Sequence, residues 1–119
     1  MALTPQEANA REDLFLSECR NHGEVWVLRH VTGGLANWVE NDAIVVPVWA
    51  NRAGAEHCAV GDLGVYEAVA IKLASFIADV LPLLAQRECW IALHPDIETA
   101  GNQRPAAELA ALIRAEGAA

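Results

Sequence analysis

The sequence predicts an α+β fold, an antiparallel sheet of about five strands covered by helices in the order αβββαβαβα. Three observations support this prediction. Three strand-like runs, EVWVLRHV, LANWVE and IVVPVW, follow one another with hairpin-length turns between them. A helix-like segment precedes these runs. Two further strand-like runs alternate with helix-like segments, and they are too few for a doubly wound parallel sheet.

The length of 119 residues predicts a single domain over residues 1–119, because hydrophobic cores divide only in much longer chains. Residues 1–3 and 116–119 are expected to fray. Hydrophobic residues make up 54% of the chain and charged residues 20%, a balance typical of a packed globule and not of a disordered chain.

The charge balance indicates which classes of binding partner the protein can have. The net charge is −8, from 16 acidic and 8 basic residues, and Lys72 is the only lysine. Nucleic-acid binding requires clustered basic residues, so the sequence predicts no nucleic-acid partner. The polar start of the chain lacks a signal-peptide pattern, and no apolar run approaches the ~20 residues that span a bilayer. Three cysteines without a Cys-x-x-Cys spacing favour a reducing compartment, so we expect a cytoplasmic protein without membrane association.

The first helix is predicted to begin in the segment TPQE at residues 4–7. Thr4 is a suitable N-cap, and Glu7 completes a capping box. The helix is expected to end near Arg20, because Gly23 can adopt the left-handed conformation that closes a helix. Its buried positions are predicted to be Leu14, Phe15 and Cys19.

The three consecutive strands are predicted to form an antiparallel meander. The turns between them, TGG and ND, contain residues that tolerate positive φ. Pro47 lies in the third strand and has no backbone N–H to donate. This strand is therefore expected at an edge, at a bulge, or with the missing donor turned away from a neighbour.

The second half of the chain is predicted to alternate helices and strands. Asn51 can cap a short helix over RAGAEHCAV. The run EAVAIKL predicts a strand, and ECWIALHP predicts a central strand because both of its faces are apolar. Between them, SFIADVLPLLAQR has an apolar stripe of helical period, with a kink or restart expected at Pro82. A loop and a last helix from about Pro105 follow.

Helical geometry separates the adjacent His57 and Cys58, which would otherwise suggest a nucleophile pair. Residues next to each other in a helix do not share a face, so Cys58 is predicted to point inward and His57 outward. No catalytic residue is therefore assigned. No cofactor or metal site is expected either, because no two potential ligands have the spacing with which zinc sites usually begin.

The four tryptophans all lie in predicted strands, and most are expected in the core. Trp49 ends its strand just before a helix cap, a position where an aromatic side chain commonly lines a groove or contact surface. We therefore predict a binding surface that includes Trp49, Tyr66 and Trp38.

The segment VVPVWANRAGAEHCAVGDLGVYEAVAI, together with EVWVL, FIADVLPLLAQ and WIALHPD, resembles the bacterial domain of unknown function 2750 family over about residues 4–115. Matching positions are Pro47, Trp49, Ala55, Gly61 and Tyr66. The resemblance implies no known activity, so it assigns no catalytic residue. The stretches VPVWA and ALHPD also resemble the amino-terminal module of SseB-like proteins, which implies an α+β module used for accessory or interaction roles.

These observations leave three functional hypotheses. The first is a non-catalytic accessory or protein-binding module. The second is a small enzyme or metabolite-binding protein with a site at the strand ends near Cys58, Asp62 and His94, for which Cys89, His30 and Asp96 are further candidates. The third is a homodimeric structural module, built through the edge strand at Pro47 or the last helix.

Overall fold

A computed structural model describes residues 5–95 and 101–117 of the chain, without the side chains of Pro5, Asp62 and residues 115–117. The predicted Thr4 cap, the predicted fraying of residues 1–3, 118 and 119, and the candidate Asp96 lie outside the described residues. Residues 116 and 117 belong to the last helix.

The α+β prediction is confirmed. The helices are α1 Pro5–His22, α2 Arg52–Cys58, α3 Leu73–Ser75, α4 Leu81–Gln86 and α5 Ala106–Gly117. The strands are β1 Glu24–His30, β2 Trp38–Glu40, β3 Ala43–Val48, β4 Tyr66–Lys72, β5 Trp90–Leu93 and β6 Asn102–Pro105. A 3-10 turn spans Gly61–Leu63, and a π-helical segment, Phe76–Val80, joins α3 to α4.

The strands form two sheets, and this corrects the predicted meander. β1 pairs antiparallel with β4, while the other sheet has the order β2-β3-β5-β6 with β3 and β5 parallel. The β2–β3 hairpin forms as predicted, with Asn41 and Asp42 at φ 53° and 65°. The chain also turns back after β1, but only a single bridge joins Arg29 to Leu35. A short turn allows a strand to pair with the strand before it, but the burial of apolar faces decides which strands pair in the fold.

The two sheets meet at one point, where the Trp26 and Trp49 backbones exchange hydrogen bonds of 2.7 and 2.9 Å. The carbonyl of Val48 instead accepts a hydrogen bond from the backbone N–H of His94, the residue that follows β5. Because successive residues of a strand direct their backbone groups to opposite edges, the nitrogen of Pro47 faces the same edge as Trp49. Along this edge, Val45 is paired with β2 and Trp49 is hydrogen-bonded to β1, and Pro47 lies between them. The missing N–H of Pro47 is therefore at the point where the neighbouring strand changes from β2 to β1.

The core consists of two apolar clusters. In the larger one, one face of the sheets packs against α1, the helical segment 73–86 and α5. In the smaller one, Leu28, Ala36 and Trp49 pack beneath Ala55 and Cys58 of α2. The predicted helical positions are confirmed, since Cys58 is buried and His57 exposed. The prediction that Leu14 is buried is wrong, because half of its surface is exposed.

β6 was not predicted as a strand, because its sequence, NQRP, lacks β-branched and aromatic residues. It pairs with β5 after Gly101, whose φ is 66°. Arg104 on this strand donates to both carboxylate oxygens of Glu12 on α1, at 2.7 and 2.9 Å. The last strand is therefore held to the first helix by a bidentate ion pair.

The expected disturbance at Pro82 is confirmed. The Leu81 N–H donates to the carbonyl of Phe76, five residues back, and α4 begins with Pro82 in its first turn. Proline at this position has no N–H and clashes with the preceding turn of a helix. The helix therefore widens into a π-helical segment before α4 starts.

Candidate functional site

The three residues of the predicted binding surface do not form one surface. Trp49 is only 1% exposed, and its Nε1 donates to the carbonyl of Pro95 at 2.8 Å. The expectation that Trp49 lies at an accessible rim is corrected, because its indole belongs to the smaller core cluster. Tyr66 is half-buried beside that cluster, and its ring meets His30 edge-on at 5.6 Å. Trp38 lies apart on β2, with its Nε1 3.4 Å from Glu40.

The thiols lie in the interior. Cys19, Cys58 and Cys89 are buried, and none of the three described thiols forms a disulfide. Burial raises the pKa of Cys19 to about 12, and burial also raises the pKa of Cys89 although the Arg87 guanidinium partly opposes this. Both thiols are therefore protonated at neutral pH, whereas a nucleophilic cysteine requires the thiolate. Cys58 donates from Sγ to the carbonyl of Pro95 at 3.4 Å, as a small buried residue does.

His94 occupies an unusual place, at the carboxyl end of β5 beside the end of the parallel strand β3. Its φ is 54°, a left-handed conformation that non-glycine residues adopt rarely. Its Nε2 is buried and has no hydrogen-bond partner among the residues that the structure describes. Burial lowers the pKa of His94, while Glu18 raises it and Arg11 lowers it to lesser extents. His94 is therefore neutral at physiological pH.

A cavity of about 470 Å³ lies over His94. Its lining includes His57, Arg11 and Leu14, so the outward histidine of α2 and the histidine that follows β5 share it. Cys58 does not line this cavity, and the side chain of Asp62 is outside the described residues. Of the predicted strand-end residues Cys58, Asp62 and His94, this cavity therefore includes His94 but not Cys58. Within the described ranges, no group of three or more His, Cys, Asp or Glu side chains is placed to hold a metal ion.

A larger cavity, which we call the groove, has a volume of about 590 Å³ and was not predicted from the sequence. Its walls come from β1, β3, β4 and the helical segment that ends in α4. The lining residues are Val27, Arg29, Gly33, Gly34, Leu35, Asn37, Ile44, Val46, Val69, Ile71, Val80, Leu83, Leu84, Arg87 and Cys89.

The groove follows from the divergence of β1 and β3. β1 and the chain just after β3 are joined by the isolated bridge between Trp26 and Trp49. On the larger-cluster side of these strands, Val27 and Val46 pack with the helical segment 73–86. Val27 and Val46 are 1% and 3% exposed, so the floor of the groove is part of the core. Ile44 and Leu83 are 39% and 59% exposed, so apolar surface continues to the rim.

Arg29 and Arg87 are the charged residues of the groove. Both are exposed, and within the described part of the chain neither guanidinium has a hydrogen-bond or ion-pair partner. Other arginines are engaged: Arg104 binds Glu12, and Arg52 lies 3.6 Å from Glu56 and over the ring of Trp26. The groove therefore combines an apolar interior with two guanidinium groups that have no ion-pair partner among the described residues, although strand pairing places Glu67 opposite Arg29.

None of the described helices has the length and hydropathy that crossing a membrane requires. No curated protein and no solved structure matches the chain at a significant level, so the likeness to SseB-like modules stays a prediction. The profile of one family, described as "Protein of unknown function (DUF2750)", matches residues 12–113. The matched range runs from α1 to α5 and includes every lining residue of the groove. The chain therefore belongs to the DUF2750 family of proteins of unknown function.

Proposed function

We propose that the protein is a non-catalytic binding protein whose groove holds a small, largely apolar ligand. The observation that carries this proposal is the groove itself. Its volume of about 590 Å³ lies within the range of small-molecule sites, roughly 300–1,000 Å³, and its lining has the usual composition of such sites, apolar with a few polar groups.

The character of the lining supports binding without catalysis. Its described side chains include no His, Asp or Glu, the groups that most often transfer protons in catalysis. Cys89 is the one nucleophilic side chain among them, and its raised pKa keeps the thiol neutral.

The groove also fits a ligand better than the surface predicted around Trp49. A side chain that is 1% exposed cannot contact a partner, whereas Leu83 and Ile44 expose apolar surface beside a concavity. A protein partner and a homodimer stay predictions, for which pull-down and sedimentation equilibrium are the measurements.

The proposal is tested by titrating the isotope-labelled protein with 1-octanol and following amide shifts by NMR. Shifts are expected in the groove, at Gly33, Gly34 and Leu84. The Leu83→Glu variant places a charge at the rim, on a side chain that is 59% exposed and so tolerates replacement, and is expected to weaken binding about tenfold or more.

Val65→Glu is the matched control, because Val65 is 66% exposed and does not line the groove. It is expected to bind octanol as the wild type does. Shifts spread over the whole surface, or equal binding by the two variants, would show that the groove is not the binding site.

A further inference from the structure

The two arginines of the groove are unexpected in this protein. The chain has a net charge of −8 and only 8 basic residues. An exposed arginine in such a chain has many possible acidic neighbours, and strand pairing even places Glu67 opposite Arg29. The guanidinium groups of Arg29 and Arg87 nevertheless have no hydrogen-bond or ion-pair partner among the described residues. Two of the few positive charges therefore stand beside the apolar groove.

Strand direction places these charges relative to the apolar floor. From the contact at Trp26 and Trp49, β1 runs on through Val27 to Arg29, and β3 lies antiparallel to it there. Arg29 is thus farther along β1 from this contact than Val27. Arg87 follows α4 and is two residues before Cys89, which also lines the groove.

We propose that the natural ligand of the groove is a free aliphatic carboxylate of medium chain length. Its chain lies along the apolar walls, and its carboxylate is bound by Arg29 and Arg87. This inference rests on the proposed function and adds the chemical class of the ligand.

Guanidinium groups suit a carboxylate because their planar N–H donors match its two oxygens, and such charge-assisted hydrogen bonds are stronger than neutral ones. The acidic surface would repel a highly charged anion, whereas a single carboxylate is attracted locally by two guanidinium groups. The apolar lining excludes a small polar acid as the preferred ligand, since such a ligand would leave the valine and leucine walls exposed to water.

The volume sets the length of the chain. A space of 590 Å³ corresponds to about twenty water molecules at liquid density. Chains of about eight to twelve carbons are therefore within the capacity of the groove.

The test compares octanoate, 1-octanol and octylamine as ligands of the full chain, with dissociation constants from NMR titration. Octanoate is expected to bind at least about tenfold more tightly than octanol, and octylamine more weakly than octanol. If octanoate binds no more tightly than octanol, the carboxylate assignment is overturned while the groove remains a binding site. If none of the three binds in the groove, the proposed function fails as well.

Variants identify the charges responsible. Arg29→Gln and Arg87→Gln are each expected to remove most of the preference for octanoate over octanol, and the double variant to bind both ligands equally. Arg114→Gln is the matched control, because Arg114 is exposed on α5 and does not line the groove. Loss of the preference in the control, or its survival in the double variant, would overturn the inference.

Chain length and vesicles complete the test. Each methylene added between hexanoate and decanoate is expected to tighten binding about fourfold, as burial of an alkyl chain predicts. A flat series would show that the chain is not in the groove and would overturn the inference. When the protein is centrifuged with phosphatidylglycerol vesicles, it is expected to stay in the supernatant. Co-sedimentation that depends on Arg29 and Arg87 would overturn the inference and show that the arginines bind a lipid surface.

Discussion

Replacing Trp49 with phenylalanine tests whether this tryptophan stabilises the core. The indole is 1% exposed, and its Nε1 donates to the carbonyl of Pro95 at 2.8 Å across 46 residues of chain. Phenylalanine keeps one aromatic ring but removes the second ring and the donor. The substitution therefore acts on the contact between the end of β3 and the chain that follows β5.

The magnitude follows from two contributions. Loss of the hydrogen bond costs about 1 kcal/mol, since the carbonyl of Pro95 keeps the Cys58 thiol as a donor at 3.4 Å and is not left unsatisfied. The missing ring leaves a partly filled cavity, which costs about 1–2 kcal/mol more. We expect a loss of about 2–3 kcal/mol in the free energy of unfolding, or about 10 °C in Tm.

Urea unfolding followed by far-UV circular dichroism measures this loss without depending on tryptophan fluorescence. Trp38→Phe is the matched control, because Trp38 is half-buried on the short strand β2 and its Nε1 is 3.4 Å from an exposed carboxylate. We expect the control to lie within about 0.5 kcal/mol of the wild type. An unchanged midpoint for Trp49→Phe would refute the assignment of this residue to the core and restore it as a candidate for partner contact.

Two further predictions concern the ends of β5 and β6. Arg104→Met removes the ion-pair partner of the buried Glu12, which keeps a 3.4 Å hydrogen bond from Asn102 Nδ2. Because the Arg104 side chain is 38% exposed, we expect a loss of about 2 kcal/mol in the free energy of unfolding, below that of a fully buried pair. Combining it with Glu12→Gln should recover part of the loss in urea unfolding. Equal stability of wild type and Arg104→Met would show that the pair does not hold β6. The pKa of His94 is lower in the folded protein than in the unfolded chain, so as the pH falls the unfolded chain binds the proton before the folded protein does. The stability that neutral His94 contributes should therefore be lost as the pH falls below 6.5 and through the folded pKa. Urea midpoints at pH 7.5 and 5 should therefore fall less in His94→Asn, which tolerates the left-handed backbone, and an equal fall in both proteins would contradict the prediction.

Local chemistry explains why much of the fold was predictable. The cap at Asn51, whose side chain accepts from the Gly54 N–H at 2.7 Å, depends on residues that are neighbours in sequence. The orientations of His57 and Cys58 follow from helical period alone. The disturbance before Pro82 follows from a missing N–H. Each of these features is decided within about one helical turn of the residue concerned.

Strand pairing was less predictable, because it joins segments that are distant in sequence. The turn after β1 is compatible with a hairpin, but β1 instead pairs with β4 over seven residues, from Glu24 with Lys72 to His30 with Tyr66. Residues of β6 have low β-propensity, and the strand exists because β5 offers an edge and Glu12 binds Arg104. The left-handed backbone of His94 likewise could not be predicted, because glycine is the residue type that regularly adopts this conformation.

The sequence by itself determined the fold class, the helices, the β2–β3 hairpin and the burial of Cys58, because these depend on apolar periodicity, capping and turn residues. The family resemblance also came from the sequence, and the profile match confirmed it. Only the tertiary structure decided that Trp49 is a core residue, and only it formed the groove. The lining of the groove comes from strands and a helical segment that are separate in sequence, so no local pattern marks it. Arg29 on β1 and Arg87 just after α4 line the same concavity only because the tertiary structure brings these segments together.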